Sequence, residues 1–189
     1  MGKQYKVYFL LSYTGSWLAK LIKIATKMEY THVAIATDNE FNNLYSFGRK
    51  TPANPVIGGF VREQIKDGVY DRFPNTVCSI YELEVTKEEY MRIIEELNDF
   101  KEKGDKYGYD FLGLIGMYFN YEFDRENHYF CSQFVATILN RSGIELFDKP
   151  VKHVTPQDFT KCKGFKCLYT GELHNREAQR VFDKLARAI

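Results

Sequence analysis

The stretch from Asn127 to Gly143, NHYFCSQFVATILNRSG, constrains the fold most. Phe134, Val135, Ile138 and Leu139 recur at helical spacing and Gly143 follows as a C-cap, which predicts a helix from about Cys131 to Ser142. A helix this apolar must lie against other elements. Cys131 stands on its first turn. The free N–H groups and positive dipole end there favour anions, and the thiolate is the form of cysteine that attacks carbonyls. A candidate nucleophile is one reading of Cys131, and a small buried side chain is the other.

The elements that cover this helix are legible along the chain. Lys6 to Tyr13, KVYFLLSY, reads as a buried strand, and SWLAKLIKIATK after Gly15 as an amphipathic helix with Leu18, Leu21, Ile22 and Ala25 on one face and Lys20, Lys23 and Lys27 on the other. Tyr30 to Thr37, YTHVAIAT, reads as a strand on which His32 shares a face with Ala34 and Ala36. These small neighbours are expected to leave room for a helix end beside the imidazole. A hydrogen-bonded core histidine is the competing reading.

Leu44 to Gly48 is a second strand paired to the first, placing Ser46 near His32. Arg49 to Phe73 is rich in Pro and Gly and reads as a long irregular connection around one short strand, GGFVREQI. Thr76 to Val85 alternates as a strand. Thr86 and Glu89 then form a capping box that opens a helix running to Gly104. Tyr107 to Phe130 is crowded with aromatics, which serve either a pocket wall or plain core packing. A late strand at Phe165 to Tyr169 and an amphipathic helix from about Asn175 to Ala188 complete the chain.

Composition excludes some functions. Lys+Arg 26 against Asp+Glu 25 leaves a net charge of +1, so bulk charge gives no reason to expect a nucleic-acid partner. No segment approaches the roughly 20 apolar residues of a membrane span, so no stable membrane insertion is expected. The N-terminus does not read as a signal peptide, which places the protein in the cytoplasm. Cys78, Cys131, Cys162 and Cys167 are expected as free thiols. Their spacing fits no common zinc pattern. A metal site on Cys131 and His32 would have to recruit His128 or His153, and neither a metal nor a cofactor is expected.

A cysteine at a helix start, a histidine on a strand and a polar residue on the adjoining strand are the parts of a thiol–imidazole catalytic unit. FCSQFVATIL resembles the nucleophile helix of the NlpC-like superfamily of papain-like cysteine peptidases, and YTHVAIATD resembles its histidine strand. His32 precedes Cys131, the order of the circularly permuted branch that includes the lecithin retinol acyltransferase-like proteins. Tyr109, Asp110 and Phe111, and the Thr155–Pro156 pair, are also similar to that branch. The resemblance spans roughly Tyr5 to Phe159.

It implies one α+β domain over residues 1–189, of papain-like fold, with an antiparallel sheet or half-barrel packed on the nucleophile helix. Cys131 becomes the nucleophile and His32 the general base. Ser46 best matches the third position. Serine departs from the His, Asn, Gln or Glu of relatives, and Glu63, Glu40 or a backbone carbonyl are the alternatives for orienting His32. Tyr107, Tyr109 and Asp110 fall near the site as oxyanion or substrate residues. The implied activity is thiol hydrolysis of a peptide or other amide substrate. An acyltransferase or phospholipase-like lipid enzyme, and a non-catalytic ligand-binding domain on the same fold, are the competing functions.

Overall fold

The computed structural model describes residues 5–51, 54–109 and 128–187. Strand β1 (Tyr5–Tyr13) leads through a turn at Gly15 to α1 (Trp17–Thr26), whose first turn is capped by Ser16 accepting from the Ala19 N–H. Then come β2 (His32–Ala36), β3 (Leu44–Thr51), β4 (Asn54–Glu63), the short α2 (Gly68–Arg72), β5 (Val77–Val85) and α3 (Lys87–Glu102). Two-residue strands β6 (Gly108–Tyr109) and β7 (His128–Tyr129) pair in parallel just before α4 (Cys131–Arg141). Two 3-10 turns lead to β8 (Lys166–Glu172) and α5 (Arg176–Ala186).

Six strands form one open antiparallel sheet in the order β4-β3-β2-β1-β5-β8, so the molecule is α+β with helices on both sides of the sheet. One face presents Val7, Phe9, Leu11, Val33, Ile35 and Phe47 to the apolar sides of α3 and α4. The other presents Tyr8, Leu10, Ala34, Ala36, Leu44 and Ile80, against which Ala178, Val181, Phe182 and Leu185 of α5 pack. Central strand β1 is covered on both faces, which is why it reads as an unbroken apolar run rather than an alternation. The Thr86–Glu89 capping box opens α3 as expected.

Two sequence expectations are corrected. Arg49 to Phe73 is not an irregular connection: β3 continues to Thr51 and pairs with a ten-residue β4, from Leu44 opposite Glu63 to Thr51 opposite Asn54. Pro55 and the Gly58–Gly59 pair suggested a break, but β4 is an edge strand, where proline's missing donor and glycine's missing side chain are tolerated. The second correction concerns Ala34 and Ala36. Their face receives Tyr8, Phe41 and Leu44, whereas α4 lies on the opposite face against Val33 and Ile35. Helix α4 meets His32 at the end of β2, not across its alanine-lined face.

The start of α4 is anchored by its second residue. Ser132, fully buried, donates to the Val154 carbonyl at 2.7 Å, tying the first turn to the segment between the two 3-10 turns. Ser132→Ala leaves that carbonyl unsatisfied in the core. The expected cost is about 1–3 kcal/mol, read from urea unfolding, and a value near zero would remove Ser132 from the list of residues that position Cys131. No helix among the described residues is long and apolar enough to cross a membrane.

Candidate active site

His32 is the first residue of β2, paired across β1 with Ser12, and Glu63 is the last residue of β4. The β3–β4 register puts Glu63 opposite Leu44 and Val61 opposite Ser46, so Glu63 and Ser46 share the face from which His32 projects. Three donors converge on the Glu63 carboxylate. Its Oε1 accepts from His32 Nε2 at 2.7 Å and from the Ser46 hydroxyl, and its Oε2 accepts from the Tyr70 hydroxyl at 2.8 Å. Ser12 lies behind Tyr70, with 3.4 Å between the two hydroxyl oxygens. Gly48 closes the floor of this network. A Cβ there would stand 3.5 Å from His32 Cε1 and 3.6 Å from Glu63 Oε1, so any side chain larger than a methyl would enter their space.

Because Nε2–H is committed to Glu63, Nδ1 is the ring nitrogen left for another partner. Cys131, on the first turn of α4, is the second group whose charge acts on the imidazole. Phe130 is the N-cap residue and supplies no capping hydrogen bond, so the N–H groups of this turn receive no side-chain cap. Cys131 is 1 % exposed, whereas the His32 side chain retains 20 % exposure. A cavity of about 350 Å³ opens on His32 and Glu63, with Leu18 and Ile22 of α1 along one side and Arg49 and Arg62 among its polar lining.

The electrostatics favour an ion pair. Burial alone pulls the imidazole toward neutrality, but the charges of Glu63 and Cys131 outweigh it and carry His32 up to about 10. For Glu63 burial acts upward, and the attraction of His32 with the bonds from His32, Ser46 and Tyr70 holds the carboxyl below its usual range. Desolvation and the Glu63 charge keep the Tyr70 phenol protonated, raised well above its ordinary value.

These opposed shifts predict a pH window for stability. Glu63 contributes fully above its unfolded value of 4.5 and loses the contribution as pH falls. His32 contributes fully below its unfolded value of 6.5 and loses it as pH rises toward about 10. Denaturant unfolding of wild type minus that of His32→Ala is therefore largest between the two unfolded values and shrinks toward alkaline pH. A flat difference across that range would contradict the pairing.

The structure brings together Cys131, His32, Glu63 and Ser46. Ser46 is bonded to Glu63, so the orienting carboxylate is Glu63 and Ser46 acts behind it. Glu40 lies in the β2–β3 turn, accepting from Asn42, and takes no part. Tyr107 packs edge-on or tilted against the rings of Phe47, Phe100 and Tyr129. The Tyr109 backbone pairs with Tyr129 in the β6–β7 ladder, and Asp110 lies outside the described residues. Tyr70 and Ser12 were missed: neither DGVYDRF nor the end of KVYFLLSY carries a signal for them, since only the fold brings the Tyr70 hydroxyl to Glu63 and the Ser12 hydroxyl to Tyr70.

All four cysteines are free thiols. Burial raises Cys78 to about 12, and burial with the Asp158 charge raises Cys162 to about 11. Among the described residues no three His, Cys, Asp or Glu side chains converge to hold a metal ion. No protein-family model matches the chain, and no curated protein matches it.

Proposed function

We propose that this chain is a cysteine hydrolase of the circularly permuted NlpC-like, papain-like kind, acting on an amide bond. The observation that carries the reading is the position of His32 between the Glu63 carboxylate and Cys131. A buried imidazolium with a carboxylate behind it and a sulfur in front is suited to stabilising a thiolate and later protonating a leaving amine. A helix bearing that sulfur on its first turn and packing on an antiparallel sheet also accords with the fold that the resemblance implies.

In this mechanism the Cys131 sulfur bonds to the carbonyl carbon. The N–H groups of the first turn of α4, which Phe130 does not cap, are donors suited to the developing oxyanion. The C–N bond breaks as the His32 proton passes to the departing amine, leaving a thioester and a neutral imidazole. Water then attacks the thioester, gives its proton to His32 and releases the acid, which restores the thiolate–imidazolium pair. Glu63 keeps Nε2 protonated throughout, with Ser46 and Tyr70 fixing the carboxylate.

The test is incubation with a library of peptides and N-acyl amides, followed by intact-mass analysis. An acyl adduct on Cys131 is expected, and Cys131→Ala should abolish it together with at least about a thousandfold of the turnover. Equal turnover by wild type and Cys131→Ala would sink the proposal.

A further inference from the structure

Helix α1 has two apolar surfaces. Leu18, Ala19 and Ile22 face inward, where Leu18 and Ile22 pack with Met28 and Phe130. Trp17, Leu21 and Ile24 face outward, 57 %, 49 % and 76 % exposed. Positions 17, 21 and 24 follow the i, i+4, i+7 pattern and so form one stripe along the helix. A lone exposed leucine is ordinary; a contiguous tryptophan, leucine and isoleucine stripe marks an interaction surface. Lys20 and Lys23 run along one edge of the stripe, Lys27 follows at the C-cap, and no Asp or Glu occurs from Trp17 to Lys27. The whole chain carries only +1, so this basic bias is local.

We propose that α1 docks the protein on an anionic lipid surface, with Trp17, Leu21 and Ile24 at the headgroup–acyl boundary and Lys20, Lys23 and Lys27 against the phosphates. Three features select this occupant. Tryptophan, with an apolar ring and a polar N–H, is suited to the membrane interface. Lysine stems extend along apolar surface while their ammonium groups reach anionic headgroups. A second copy of this chain is disfavoured, because two-fold pairing of the stripe brings the lysines of both helices together with no acidic residue on either helix to offset them. A helix of ten residues seats shallowly, so the attachment is reversible and salt-sensitive.

Trp17 is the chain's single tryptophan, which makes its fluorescence a direct report on the stripe. The full chain carrying Cys131→Ala, which separates this test from any catalysis, is titrated with phosphatidylcholine vesicles with and without phosphatidylserine. The expected result is a blue shift and protection from acrylamide with the phosphatidylserine vesicles, weakened by added salt. Lys20→Glu with Lys23→Glu should lower partitioning by about tenfold or more, given the attraction of each lysine to an anionic surface. Ile24→Ser should also weaken it and should keep the parent's circular dichroism and Tm because its side chain is exposed, whereas the lysine variant also loses the Lys23 contact with the Tyr13 ring and is compared at a temperature where its circular dichroism matches the parent's. An unchanged Trp17 spectrum with phosphatidylserine vesicles overturns the proposal, as does equal binding to neutral vesicles. A shift that appears without lipid as protein concentration rises overturns it in favour of self-association.

Discussion

Glu63→Gln lowers the alkylation rate of Cys131 by iodoacetamide at neutral pH by on the order of a hundredfold or more. The substitution keeps the size of the side chain and removes its charge. His32 then loses its principal counter-ion while remaining largely buried, so desolvation, the largest influence on the ring, is no longer outweighed and the imidazolium gives way to imidazole near neutrality. The amide can also accept from only one of its two terminal atoms, so the bonds from His32 and Ser46 to Oε1 and from Tyr70 to Oε2 cannot all persist. Peptide mass spectrometry reads each thiol separately. Exposed Cys167 serves as the control that should not change, and Cys78 and Cys162, raised by burial, should react slowly in both proteins. The pH profile distinguishes electrostatics from loss of fold. Wild type holds its imidazolium up to about 10, so the alkaline limit of the ion pair should move down in Glu63→Gln. An unaltered rate and profile at Cys131 would remove Glu63 from the site.

The two ends of this unit were legible in the sequence for different reasons. Cys131 stood out because helical periodicity fixed where the first turn begins, and the structure starts α4 at that residue. His32 stood out because Tyr30 to Thr37 reads locally as a strand with an imidazole on the face of two alanines, and the structure keeps the shorter β2 within that span. Glu63 was only one of several alternatives, since its place depends on strand register. Thirty-one residues separate it from His32, and it arrives there because β3 and β4 pair for nearly their full length. The prolines and glycines of β4 hid that strand, although at a sheet edge they cost little. Ser46 was located correctly beside His32 but assigned the wrong partner, because a single hydroxyl carries no directional information until the third strand is present. Tyr107 illustrates the converse: in an aromatic-rich segment, local sequence does not distinguish a ring at the site from a ring in the core.

Phe47→Ala is expected to destabilise the protein by about 3–5 kcal/mol and to lower Tm by roughly 10 °C. Phe47 is fully buried and contacts the rings of Phe60, Phe100, Tyr107, Tyr129 and Phe134, so truncation opens a cavity where strands β3 and β4 meet helices α3 and α4. A core of interlocked rings relaxes poorly into such a space. The loss should extend to the site, because Phe47 stands between Ser46 and Gly48 on β3 and faces the opposite side of the sheet from them. Its packing holds the strand whose other side supports Glu63 and floors the His32 ring. Alkylation of Cys131 should therefore slow in Phe47→Ala even under conditions where the variant is fully folded, whereas Phe47→Leu, which retains most of the volume, should recover both stability and rate. Equilibrium urea unfolding together with thiol-resolved labelling measures the two effects on one sample. A cost below about 1 kcal/mol would mean that the cavity collapses freely, and a normal labelling rate in the folded variant would separate the aromatic core from the geometry of His32 and Glu63.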